Sequence, residues 1–223
     1  MTLVAGADGC RSGWVVALGA ALKTKVRFER ALVVDALAGI EALGVELLAV
    51  DIPIGLAEGA EPGGRACDRV ARELLGARKA SVFSPPVRGV LRCGTYEEAL
   101  EVSRASSEHG LGLSKQSWNI VPKIREADGF VRASSLRTVE AHPELIFTEM
   151  TGAPMEHPKK SKAGARDRRR ALAGVMGEVP TERVGDHLMD DLLDACACLW
   201  TAWRVHAGRD LRVGPGGGPW IHA

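Results

Sequence analysis

Three stretches of the chain place aspartates where chemistry could be done. LVAGADGCRSGWVVAL (Leu3 to Leu18) has Asp8 closing its first apolar run, ELLAVDIPI (Glu46 to Ile54) has Asp51 in the equivalent place, and DDLLDACA carries Asp191 and Asp194 three residues apart. Burying a carboxylate is costly unless it is hydrogen-bonded or meets a cation. Each of these residues also has an ordinary structural use. Asp8 can accept bonds from the turn amides of Cys10 or Arg11 and Asp51 can cap a turn, while Asp186 and Asp190, near the start of a helix, suit its macrodipole. Two strands that each end on an Asp favour a shared site, because ligands of open α/β sheets bind where strand carboxyl ends gather. Glu140, His142 and Glu144 form a second cluster later in the chain.

The elements that must position these groups follow from hydrophobic periodicity. The first stretch predicts a hairpin, with glycines at Gly9 and Gly13 for the return. KVRFERALVV predicts a third strand, and DALAGIEAL a short helix with Asp35 as N-cap. The fourth strand, Glu46 to Ile54, is apolar on both faces. The strand, helix, strand order therefore predicts parallel pairing through a right-handed crossover. Pro53 ends regular pairing and Gly55 permits a tight turn.

AEGAEPGG is a connector into RACDRVAREL, where Arg65, Arg69 and Arg72 are spaced to share one helix face. Pro85 and Pro86 exclude helix, and Thr95 and Ser114 are placed to cap two further helices. The passage from Arg65 to about Asp128 is too long for a simple crossover, which predicts a helical insertion over about 57–130 in a single domain spanning 1–223. RTVEAH (Arg137 to His142) predicts a fifth strand, followed by a helix with Pro143 in its first turn.

The longest helix is expected over Asp186 to Ala207, with Leu188, Leu192, Ala195, Leu199 and Trp203 as its buried stripe and Asp191 at the stripe's edge. GPGGG follows that helix instead of opening one, so it makes a poor phosphate cradle.

With 223 residues, 46% of them apolar, the chain can bury a sizeable core. It shows neither a signal-like start nor an apolar run long enough for a membrane span, which predicts a soluble, cytoplasmic protein without membrane contact. The five cysteines form no CxxC pair, so structural zinc and disulfides are not expected. Charge is unevenly distributed. Residues 61–92 carry +4 and 157–170 carry +6, against −9 for the remainder of a chain of net charge +1. That division suits an anionic ligand held beside a carboxylate-rich site, or simply two solvated helix faces.

GADGCRSGWVVA, DIPIGL, RACDRVARELLGARKASVF, VEAHPE and DDLLDACA resemble, in that order, motifs of the domain-of-unknown-function 429 family, predicted nucleases with a ribonuclease H-like fold. The DLLDA helix is also similar to that of Holliday-junction resolvases in the same superfamily. The resemblance implies an α/β fold with a mixed five-stranded sheet, its second strand antiparallel, flanked by helices and carrying a helical insertion. It further implies hydrolysis of phosphodiester bonds in nucleic acid with two Mg²⁺ or Mn²⁺ ions. Asp8 would bridge the ions, with Asp51 and Asp191 or Asp194 binding one each and Glu140 or His142 completing the site.

Asp51 stands where many superfamily members carry the longer Glu. Arg65, Arg69, Arg72, Arg78 and Ser81 fall in the family's own insertion and are the expected substrate-binding residues. Because the implied activity is an analogy from fold, two other readings stand beside it. One is an actin-like ATP-dependent phosphotransferase, for which a second glycine-rich phosphate loop is missing; the other is a non-catalytic nucleic-acid or small-anion binder.

Overall fold

The computed structural model describes residues 2–180 and 189–223. Its sheet has the order β3-β2-β1-β4-β5, built from β1 (Thr2–Cys10), β2 (Gly13–Ala21), β3 (Val26–Val34), β4 (Leu47–Asp51) and β5 (Arg137–Glu140). β2 runs antiparallel to both its neighbours, while β1, β4 and β5 are mutually parallel. This is the ribonuclease H-like arrangement that the resemblance implies. β1 lies at the centre because its residues are apolar and small on both faces. Val4 packs into one core layer, and Ala5 and Ala7 into the other.

One layer is closed by α1 (Ala38–Glu41) and α5 (Val121–Ala133) through Leu37, Ile40, Ile124 and Phe130. The other is closed by α2 (Ala66–Leu75), α6 (Pro143–Thr151), α7 (Lys162–Met176) and α8 (Met189–His206). A small third cluster joins α3 (Tyr96–Ala105), the 3₁₀ turn Arg88–Arg92 and the start of α5 through Val90, Ala99 and Val121. Between α3 and α5 lies the short α4 (Lys115–Asn119). Helices α2 to α5 thus stand between β4 and β5, in the passage whose length was too great for a simple crossover. No helix among the described residues is long and apolar enough to cross a membrane.

Local signals acted largely as their chemistry dictates. Thr95 accepts from the Glu98 amide and Ser114 from the Ser117 amide as N-caps, Pro143 opens α6, and Gly55 adopts φ 75° just after Asp51. Asp35 is not the cap of α1. The Leu37 amide instead donates to Glu126 Oε1 on α5 at 2.8 Å, an oxygen that also accepts from Trp14 Nε1 at 2.8 Å. A long-range carboxylate has displaced the local one. Asp186 and Leu188, expected at the start of the last helix, lie outside the described residues.

The contact that sets the architecture is α8 on β1. A Cβ at Gly6 would lie 1.9 Å from Leu199 N and 2.3 Å from Ala195 O, both main-chain atoms. Only glycine lets the helix come so close to the strand. Gly6→Ala is therefore expected to cost about 3 kcal/mol or more, measured by chemical denaturation, or to prevent folding. A variant of parental stability would show that the close approach is not required.

Candidate metal centre

Asp8 and Asp51 are direct neighbours in the parallel register of β1 and β4, so both side chains leave the sheet on one face. α8, pressed onto that face at Gly6, brings in Asp194. One carboxylate oxygen from each of Asp8, Asp51 and Asp194 lies within 4.8 Å of the others. Asp8 is 8% exposed and Asp194 1%; Asp51 is partly buried. The hairpin turn falls at Arg11 and Ser12, beyond Asp8, which sits inside the ladder opposite Val15. Asp8 therefore stands in the ladder, two residues or more before the Cys10 and Arg11 amides that were its other candidate partners.

Burial pushes all three carboxyls upward. Asp51 and Asp194 add repulsion at Asp8 and hold it well above the ordinary carboxylate range. Burial raises Asp51 to about 6 and Asp194 to about 7, even though Lys159 pulls both down. Lys159 Nζ donates to Asp194 Oδ2 at 2.7 Å. Burial opposes the ammonium charge, but Asp194, then Asp8 and Asp51, outweigh it and keep Lys159 protonated. Asp194 Oδ1 is buried without a hydrogen-bond partner among the described residues. Cys196 and Cys198 lie on the same helix, but burial drives the first thiol up to about 12 and the second well above its ordinary value. Neither supplies a thiolate.

The other predicted site residues divide among separate places. Asp191 is one turn from Asp194 and adds to the negative field on Asp8, but it is not in the converging set. Glu140 pairs in register with Val50, one residue before Asp51, and so faces the other side of the sheet. There it accepts from Arg65 Nη2 at 2.6 Å and from the Ile54 amide at 2.7 Å. His142 lies just beyond β5, at the N-cap of α6, where Nε2 donates to Ser81 O at 3.3 Å. Burial lowers its pKa, which leaves a neutral ring in the wall beside the carboxylates.

Arg65 does not share an open face with Arg69 and Arg72. It caps α2 with its side chain 4% exposed, held by Asp68 at 2.7 Å and Glu140 at 2.6 Å. Arg69 Nη1 donates to Gly64 O, and Arg72 donates to Val82 O at 2.9 Å and Ser84 Oγ at 3.0 Å. Both line a cleft of about 660 Å³ that contains none of the three clustered aspartates. Arg78 and Ser81 border Asp51 and Asp194 in a second groove, together with Lys159 and Lys160. Lys159 was not singled out from the sequence. Its only signal there was the +6 block at 157–170.

The family described as protein of unknown function (DUF429) matches residues 6–216. Among solved structures, the chain is similar to Thermus thermophilus RuvC, with 12% identity over 93% of this chain and 98% of that one and a TM-score of 0.42. It is likewise similar to T. thermophilus RuvC in complex with Holliday junction substrate, with 13% identity, 93% and 98% coverage and a TM-score of 0.42. No curated protein matches it.

Two measurements probe these electrostatics. With raised carboxyl pKa values, the folded protein binds more protons than the unfolded chain between the ordinary value of 3.8 and the raised values of about 6 and about 7. Metal-free stability contributed by this cluster is therefore lost as pH rises through that window. Asp51→Asn should raise metal-free stability at alkaline pH by roughly 1–3 kcal/mol and change it little in acid; a loss at alkaline pH would contradict the repulsion. Arg65→Ala leaves two buried carboxylates without their cation and should cost about 3–5 kcal/mol, read as a fall in the denaturation midpoint.

Proposed function

This chain belongs to the DUF429 family, and from that premise we propose that it is a metal-dependent nuclease that hydrolyses phosphodiester bonds at Asp8, Asp51 and Asp194. The observation that carries the reading is the convergence of three oxygen donors within 4.8 Å, one of them from Asp194, which has an oxygen buried and unpartnered among the described residues. A donor set made only of carboxylates, with no thiolate or imidazole in it, suits hard Mg²⁺ or Mn²⁺ rather than Zn²⁺. The residues fit the cation. Asp8, flanked by Asp51 on the next strand and Asp194 on α8, would hold it together with those two carboxylates.

Bound Mg²⁺ or Mn²⁺ would supply the charge that neutralises this cluster, activates a water and stabilises the leaving oxygen. The chain's own contribution is positioning and field. Lys159 and Arg78 present cationic hydrogen-bond donors where the phosphate would lie, and charge-assisted bonds of this kind hold phosphate oxygens firmly. Asp191, one turn away on α8, adds negative field that strengthens cation binding. The nucleic-acid partner is supported by the same cationic walls. The phosphotransferase alternative gains nothing from the glycine-rich segment, which connects β6 (Arg212–Val213) to β7 (Ile221–His222) as a hairpin and opens no helix.

Calorimetry should show Mn²⁺ binding that Asp8→Asn abolishes while circular dichroism remains native. Since removal of groups that merely orient ligands costs ~10–100-fold, loss of this ligand should lower phosphodiester turnover by more than about 100-fold. Metal binding indifferent to Asp8, or activity that depends on ATP, would overturn the reading.

A further inference from the structure

Two kinds of cation meet the buried carboxylates of this chain. Arg65 and Arg168 are the first kind. Arg65, its side chain 4% exposed, divides its donors between Asp68 at 2.7 Å and Glu140 at 2.6 Å. Arg168, on α7 with its side chain 1% exposed, pairs with Glu144 and also donates to His157 O at 3.1 Å and Gly164 O at 3.3 Å. A planar guanidinium enclosed in this way, its donors spread over several acceptors, is a fixed part of the core.

Lys159 is the second kind. It stands in the turn ahead of α7, outside any helix or strand. Its side chain is 39% exposed although that of Asp194 is only 2%, and the bond from Nζ to Asp194 Oδ2 at 2.7 Å is its one hydrogen bond among the described residues. A lysine ammonium is a compact charge on a flexible stem. The groove of about 500 Å³ that Lys159 lines with Asp51, Asp194 and Arg78 and Ser81 of the 3₁₀ segment Gly76–Ser81 gives that stem room to turn.

The place this ammonium fills is the one a metal ion needs. Asp194 belongs to the set of three carboxylates whose oxygens lie within 4.8 Å of one another, and the field of all three reaches Lys159. Asp194 Oδ1, buried without a partner among the described residues, is a carboxylate oxygen that the ammonium leaves unsatisfied. An ammonium and a divalent cation on the same carboxylates are like charges drawn to one negative field, and each weakens the hold on the other.

Resting on the metal-site reading above, we infer that Lys159 is the exchangeable counterion of the metal-free site: a divalent cation drives its ammonium off Asp194 and into the groove that Arg78 and Lys160 also line. The first test needs no variant. The full chain is treated with acetic anhydride with and without saturating Mn²⁺, and acetylation of each lysine is followed by mass spectrometry. Lys23, exposed in the β2–β3 turn at the other end of the sheet, is the reference. Mn²⁺ should speed acetylation of Lys159 severalfold relative to Lys23, because the amine leaves its carboxylate; an unchanged or slower rate overturns the inference. In calorimetry under mildly alkaline conditions, Lys159→Met should bind Mn²⁺ at least about tenfold more tightly than the parent, and Lys159→Arg, which keeps the charge, no more tightly. Equal or weaker binding by Lys159→Met overturns the inference and leaves the metal site standing. A parent that binds no Mn²⁺ overturns the metal-site reading and this inference with it.

Discussion

Three aspartates buried in one corner repel each other, and the rest of the structure is arranged to hold them there. Ionised carboxylates at the observed spacing of 4.8 Å or less would repel by roughly 3–4 kcal/mol per pair at an effective dielectric of ~20. The counterforce is the core itself, the two strands locked in register and α8 driven onto β1 by its buried face, with Gly6 removing the side chain that would otherwise separate them. Lys159 relieves part of the strain by donating to Asp194. Burial first, and mutual repulsion at Asp8 and Asp194 second, raise the carboxyl pKa values, and a divalent cation is the natural relief.

The inserted region contributes in two distinct ways. Arg65 forks between Asp68 and Glu140 and also donates to Ile54 O at 2.7 Å, so a single guanidinium fastens α2 to the end of β5 and to the turn that follows Asp51. Arg168, on α7, is a second buried cation, paired with Glu144. Removing Arg65 would leave Asp68 and Glu140 without their cation, and removing Arg168 would leave Glu144 with only Arg78, at 3.5 Å, which makes these arginines costly to remove whatever the protein binds. Arg78 and the 3₁₀ segment around it act differently. They border Asp51 and Asp194 in the groove that also holds Lys159 and Lys160.

The two basic blocks therefore contain residues of unlike function. Within the first, Arg65 is structural and Arg78 faces the groove. Within the second, Arg168 is 1% exposed while Lys159 reaches the acidic cluster. Their summed charge is real, but only part of it is available to an anion. Arg69 and Arg72, which share a face as their spacing requires, turn that face toward another cleft and the loop at Gly63 and Gly64.

The sequence alone determined the sheet and two of its three clustered carboxylates. Alternating and continuous apolar runs mark strands, and an Asp that closes such a run is carried to the strand end by covalent connection. Asp8 and Asp51 needed no more than that. Tertiary structure decided the third. Leu192 to Trp203 are buried on every side of α8, so a helical stripe has no polar edge to locate, and only the docking angle on β1 selects Asp194 over Asp191. It also decided Glu140, whose face depends on register: pairing with Val50 rather than Asp51 sends it across the sheet, because strand side chains alternate with each residue. Lys159 was beyond the reach of sequence for a related reason. It stands in a loop, where no periodicity fixes direction, and its partner is 35 residues away, so their meeting exists only in the folded chain.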